Sequence, residues 1–142
     1  MKKYWYLTFL MVLIIGCDTI LTSSKSDEQE VPVKIENLTG TWNWTQFVDS
    51  LGQVLSEQTL NSTRSIIITH DFTFKEFHND TVFFSDKFNL YKSVLPNTTD
   101  TLTFFDWRTS KRFNYIIFSL KTNTLILGSY FGQYQDKYSR IN

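Results

Sequence analysis

From residue 40 to residue 141 the chain repeats one pattern: a short run of β-formers, then a turn signal. The runs are 40–48, 54–60, "RSIIITH" at 64–70, "FTFKEFH" at 72–78, "TVFFSD" at 81–86 and "KFNLYKS" at 87–93. They continue with "DTLTFFDW" at 100–107, "RFNYIIFSL" at 112–120, "TLILGSY" at 124–130 and "YQDKYSRI" at 134–141. Turns fall at Asp49-Ser50, His70-Asp71, Asn79-Asp80, Pro96-Asn97 and Asn123. With only 5 Gly and 2 Pro, the turns rely on Asn, Asp, Ser and Thr, whose side chains bond to nearby backbone. Strands this close need only hairpins, so their pairing is antiparallel, and no segment is long enough for a crossover helix. The runs at 81–86 and 87–93 read equally as one long bent strand, which puts the count at eight to ten. An open meander of that size leaves two exposed edges, and closure into a barrel removes them. The expected fold is therefore all-β, an antiparallel up-and-down barrel. With eight strands, its interior holds side chains or one small ligand.

The composition fits this fold. Aromatics make up 17% of the 142 residues, including 13 Phe and 7 Tyr, and such side chains suit half-buried pleated surfaces. Lys+Arg and Asp+Glu both number 14, so no strong field points to nucleic acid. Cys17 is the single cysteine, which excludes an intrachain disulfide.

The amino end follows a different plan. "MKKYWYLTFLMVLIIGC" has a basic head at Lys2 and Lys3, then an uncharged run from Tyr4 to Ile15. That is the layout of a secretory signal, and it falls short of the roughly 20 apolar residues that span a bilayer. Its end, "LIIGC", resembles the lipobox of bacterial lipoproteins: Leu13, two aliphatic residues, Gly16, then Cys17. The resemblance implies removal of residues 1–16 and fatty acylation of Cys17, first as a diacylglyceryl thioether and then at the new amino terminus. Two or more chains hold firmly where one is marginal, so such a protein is anchored to the membrane without crossing it. Asp18 matches an inner-membrane retention signal of some lipoproteins. The acid-rich "SKSDEQE" at 24–30 resembles a signal that sends others to the cell surface, and reads equally as a solvated tether. The expected location is the bacterial envelope, at the periplasmic face or cell surface of the outer membrane. Residues 17–37 are expected to form a flexible tether, with the acids Asp27, Glu28, Glu30 and Glu36 solvated. The folded domain is expected at 38–142.

Trp42 and Trp44 stand two apart, so both face the same side of a strand, expected to be the interior. "GTW" at 40–42 opens the first strand and "YSR" at 138–140 ends the last. Gly40, Trp42 and Arg140 resemble the lipocalin-like lipoproteins, which begin their barrel with Gly-x-Trp and end it with an Arg. The resemblance implies that the Arg140 guanidinium lies over the Trp42 indole and closes one end of the barrel.

Two functions follow as expectations. In the first, the barrel binds a small hydrophobic or aromatic molecule at the end away from Arg140. Trp44, Phe72, Phe74, Phe88, Leu90, Phe104 and Tyr115 are its lining candidates, with Trp44 read mainly as core. In the second, the barrel is a filled, non-enzymatic module that meets another envelope protein or a glycan through surface aromatics such as Phe105, Trp107, Tyr130 and Phe131. In "RFNYIIFSL" both strand faces are apolar, which fits cover by a loop or the tether, or an external patch. The chain lacks a nucleophile elbow, a phosphate loop and a His-x-x-x-His pair, so no enzyme activity, cofactor or metal is expected. His70 and His78, near Asp71 and Asp80, read as solvated turn residues.

Overall fold

The computed structural model describes residues 28–95, 98–110, 114–129 and 134–141. The expected signal peptide at 1–16, Cys17, the first part of the expected tether, Tyr130 and Phe131 lie outside the described residues. Nine strands form one sheet: β1 (Gly40–Asp49), β2 (Val54–Ser56), β3 (Arg64–Ile68), β4 (Thr73–His78), β5 (Thr81–Val94), β6 (Thr101–Trp107), β7 (Tyr115–Leu120), β8 (Thr124–Ser129) and β9 (Tyr134–Ile141). Neighbours run in the order β2-β1-β3-β4-β5-β6-β7-β8-β9, and β1 also pairs with β9. That last pairing, from Thr41↔Ile141 to Asp49↔Tyr134, closes an antiparallel barrel of eight strands, with β2 as an extra strand outside the ring.

The two runs at 81–93 are one strand. β5 pairs with β4 as far as Lys87 and with β6 from Phe88 onward, so its bend carries the chain from one neighbour to the next. β1 divides its other edge. Residues Gly40–Asn43 pair with β3, and Gln46–Val48 pair with β2 beyond an irregularity between Trp44 and Gln46.

The run at 54–60 is only half strand. β2 ends at Ser56, whose hydroxyl accepts from the Thr59 amide, and a single-turn helix α2 follows at Glu57–Leu60. Ser at the N-cap with Glu next to it favours a helical turn over further pairing, and left-handed Asn61 (φ 47°) ends it. The Asn79-Asp80 hairpin has positive φ at both residues, the signature of a tight primed turn. Phe72 also has positive φ (59°), which is costly for a bulky side chain. Its ring meets Phe88 edge-on at 5.7 Å, and this packing holds the turn.

Side-chain alternation sends Trp42, Trp44, Ile66, Ile68, Phe74, Phe88, Phe105, Ile117, Leu125, Leu127 and Tyr138 into one buried cluster. Each large aromatic ring buried this way contributes roughly 1.5–3 kcal/mol. On the outer face Phe118 covers Gly128, where a Cβ would come within 2.5 Å of the Phe118 ring and 2.7 Å of the Tyr134 carbonyl.

The described part of the expected tether differs from the reading above. Residues 28–38 lie against the barrel. The Val31 amide donates to the Leu120 carbonyl, Glu30 forms an isolated bridge with Lys121, and a one-turn helix α1 runs Ile35–Leu38. Val31, Val33 and Ile35 pack on the core, and Leu38 is fully buried. Glu28 and Glu30 accept hydrogen bonds from Thr124 and Ser119. Composition alone marks this stretch as polar. The physical reason for its docking is the alternation of Val31, Val33 and Ile35, which supplies one apolar face to an otherwise open barrel end.

Candidate functional site

The end of the barrel where β1 begins is closed. The Arg140 guanidinium lies 4.1 Å from the Trp42 ring centroid. Its nitrogens donate to the carbonyls of Thr39 (2.8 Å), Thr122 (3.0 Å) and Asn37. The Trp42 indole N–H donates to the Leu38 carbonyl at 2.8 Å. One planar cation thus joins α1, the β7–β8 turn and β1, which a lysine's point charge cannot do. Gly40 makes room: at φ 143° a Cβ there would stand 2.9 Å from Arg140 Nη1.

The interior candidates lie where the alternation puts them, except one. Phe74 meets Phe84, Phe105, Trp107 and Tyr115 at ring separations of 5.1–6.2 Å. Phe88 meets Phe72 and Phe105, and Leu90 and Tyr115 pack on the same cluster. Phe104 is the exception. It lies on the opposite face of β6 from the interior cluster and is buried there, paired with Tyr91 and Ile116 and stacked on the Tyr91 ring at 5.1 Å. Phe105 and Trp107, expected on the surface, are buried inside, stacked on each other at 5.7 Å. Adjacent Phe104 and Phe105 hide the parity of this strand. Asp106 reveals it: an exposed acid shares the face of residue 104 and leaves 105 and 107 inside.

The opposite end is built differently. There the interior carries Arg64 from β3, Glu76 and His78 from β4, and Asp136 from β9. Arg64 pairs with Glu76 and Asp136, each at 3.2 Å, and both carboxylates are buried. Asp136 also accepts the Trp44 indole N–H at 2.7 Å, and Arg64 lies 5.3 Å from the Trp44 ring centroid. His78 Nε2 sits 2.8 Å from Glu76 Oε1, and its ring stacks on Phe83. Burial pushes the Asp136 carboxyl above the ordinary range despite Arg64 and the indole N–H. Burial, with Asp136 beside it, holds the Tyr138 phenol well above its usual value. The Arg64 Nε and the Ser129 Oγ are buried without a hydrogen-bond partner among the described residues. Nothing in the residue spacing marked this network, because Arg64, Glu76 and Asp136 stand on three strands, 12 and 60 residues apart in sequence.

A cleft of about 290 Å³ opens on the outer wall, lined by Asn43, Glu57, Thr63, Arg64, Ser65, Phe77 and Asp80. It lies where β1 leaves β3 to pair with β2. Asn43, Ser65 and Phe77 form a cross-strand row on the outward face, and Glu57 of α2 and Asp80 of the β4–β5 turn stand around it. The Arg64 guanidinium turns away from this row, into the barrel.

Comparison with known proteins returns no match, whether to family models, to curated proteins or to solved structures.

Proposed function

We propose that this protein is a lipid-anchored component of the bacterial envelope whose lipocalin-like barrel acts as a non-enzymatic interaction module. Cys17 is its acylated residue, the outer membrane its site, and Gly40, Trp42 and Arg140 the lipocalin-like closing set. It engages an envelope protein or a glycan through its outer wall rather than carrying a guest inside.

One observation supports the module over a carrier: Phe74, Phe88, Phe105, Trp107 and Tyr115, which would have to line a ligand cavity, pack edge-to-face and stacked against one another. Carriers of small apolar molecules present a cavity of about 300–1,000 Å³ to the guest. A titration with fluorescent fatty acids and aromatic probes tests the choice. The expected result is no saturable binding. Saturable one-to-one binding that an apolar competitor displaces would return the protein to the carrier class. For the anchor, Cys17→Ser is expected to leave the protein unprocessed or move it to the soluble fraction. A serine variant that is cleaved and stays on the membrane would end the lipoprotein reading.

A further inference from the structure

We infer that the outer-wall cleft between β1, β3 and α2 is a binding site for an uncharged sugar residue of a glycan. The inference rests on the module reading above and names the chemistry of its contact surface.

The cleft has a topological cause. β1 gives up β3 after Asn43 and takes β2 from Gln46, so the sheet forks there. The fork leaves a hollow of about 290 Å³, near the lower end of small-molecule sites at about 300–1,000 Å³. Its floor is paired sheet. Asn43 pairs with Ser65 and Ser65 with Phe77, so the floor's main-chain groups serve the ladders. A peptide adding as a further strand finds no free ladder edge on that floor. Recognition must therefore come from side chains.

Those side chains suit a polyol. Asn43 offers an amide that both donates and accepts, Ser65 offers a hydroxyl, the Thr63 hydroxyl donates to Asn79 Oδ1 and is left to accept, and Glu57 and Asp80 offer carboxylates that accept. A sugar ring presents several hydroxyls, each a donor and an acceptor, which this mixed set can satisfy together. Phe77, half-buried on the floor, supplies the one apolar surface, suited to the C–H face of a pyranose. Charge narrows the class further. Arg64 lines the cleft, but its guanidinium is committed to Glu76 and Asp136 inside the barrel. The charge offered outward comes from Glu57 and Asp80, which repel uronates, sulfates and phosphates.

The test uses the full chain in detergent. It is titrated with trimers of N-acetylglucosamine and of mannose, and with a galacturonic acid trimer, by calorimetry and amide NMR. The expected result is binding of a neutral trimer, with shifts at Asn43, Ser65 and Phe77. Phe77→Ala and Asn43→Ala should each weaken it at least about tenfold at a temperature where the amide spectrum shows both variants folded. The acidic trimer should bind at least about tenfold more weakly, and Asp80→Asn should narrow that gap. No binding by either neutral trimer, binding that ignores both alanine variants, or tighter binding of the acidic trimer would each overturn the inference. A photo-crosslinker at Asn43 in intact cells separates the two readings. Capture of a protein there overturns the sugar site and leaves the module. Saturable probe binding inside the barrel removes the module itself.

Discussion

Both barrel ends place an arginine over a tryptophan, and the two pairs are built on opposite principles. At the closed end Arg140 covers Trp42 and spends its donors on three backbone carbonyls. At the other end Arg64 lies near Trp44 and spends its donors on two buried carboxylates. The environments move the two guanidinium pKa values apart. Burial lowers that of Arg140. For Arg64 burial also lowers it, but Tyr138, Asp136 and Glu76 outweigh it and the net shift is upward. One arginine is a mechanical clasp between chain segments. The other is the counter-ion of a charged interior. The lesson is that the same residue pair in one fold can be nearly neutral in its surroundings or bound to a charge balance. Only the second should respond strongly to pH and to loss of a single charge.

The tryptophans give the largest effect. Trp42→Ala and Trp44→Ala should each cost about 3–5 kcal/mol in denaturant unfolding, since each leaves a large buried cavity. Trp44→Ala should be the worse of the two, because the acceptor it strips is the buried Asp136 carboxylate, whereas Trp42→Ala strips the neutral Leu38 carbonyl. A smaller loss for Trp44→Ala would break the contrast between the ends.

The arginines come next and separate the ends more sharply. Arg64→Met leaves Glu76 and Asp136 buried without their cation, and should cost about 3–5 kcal/mol at neutral pH. Arg140→Met loses hydrogen bonds to neutral carbonyls and should cost about 1–3 kcal/mol. The Arg64→Met penalty should shrink in acid, as Asp136, whose carboxyl burial already holds above the ordinary range, protonates, while the Arg140→Met penalty stays level. In double-mutant cycles each arginine should couple to its tryptophan by at least about 0.5 kcal/mol. Equal pH responses, or additive losses, would show that the ends work alike.

Gly40→Ala tests the clasp without touching either partner. The new Cβ meets Arg140 Nη1 and the backbone keeps a φ of 143°, so the cost should be about 1–3 kcal/mol. Combined with Arg140→Met, the cost should fall, because the clash is gone and only backbone strain remains. An undiminished cost would place the strain wholly in the backbone.

The smallest effect is in two carboxyls with opposite signs. Asp71, exposed in the β3–β4 turn beside the closed end, has its pKa lowered to about 2 by hydrogen bonds from Thr69 and Thr73, with Lys87 nearby. Its folded pKa lies below its unfolded value, so its contribution is present at neutral pH and is lost as the pH falls from about 4 toward 2. Asp136 has its pKa raised, first by burial. Its contribution is full below the unfolded pKa of about 4 and declines as the pH rises through the folded value. Asp71→Asn should therefore flatten the acid limb of a stability-against-pH curve. Asp136→Asn should remove a loss on the neutral side, measured against its own low-pH stability. Parallel curves for both variants would refute the assignment of opposite signs.

Much of the fold was legible in local pattern. The strand runs and Asn-Asp turns locate β3 to β9 within a few residues, because alternation and turn chemistry are encoded in neighbours. The Trp42–Arg140 clasp was legible only through resemblance to a motif, as 98 positions separate its members. Local pattern misassigned the parity of β6, where Phe104 and Phe105 stand side by side, and extended the 54–60 run through residues that Ser56 caps as a helical turn.

What the sequence determined by itself is the class of solution: many short antiparallel strands, an inward Trp42 and Trp44, and no disulfide to support them. Side-chain period and turn preference are properties of adjacent residues, so one chain read in order contains them. Tertiary structure alone decided the rest. Closure of β1 on β9 brought Asp136 against Trp44 and Arg64, and docking of residues 28–38 sealed one end. The fork of β1 between β3 and β2 opened the outer cleft. These depend on contacts between residues far apart in the chain, which form only when the barrel closes and which no local periodicity records.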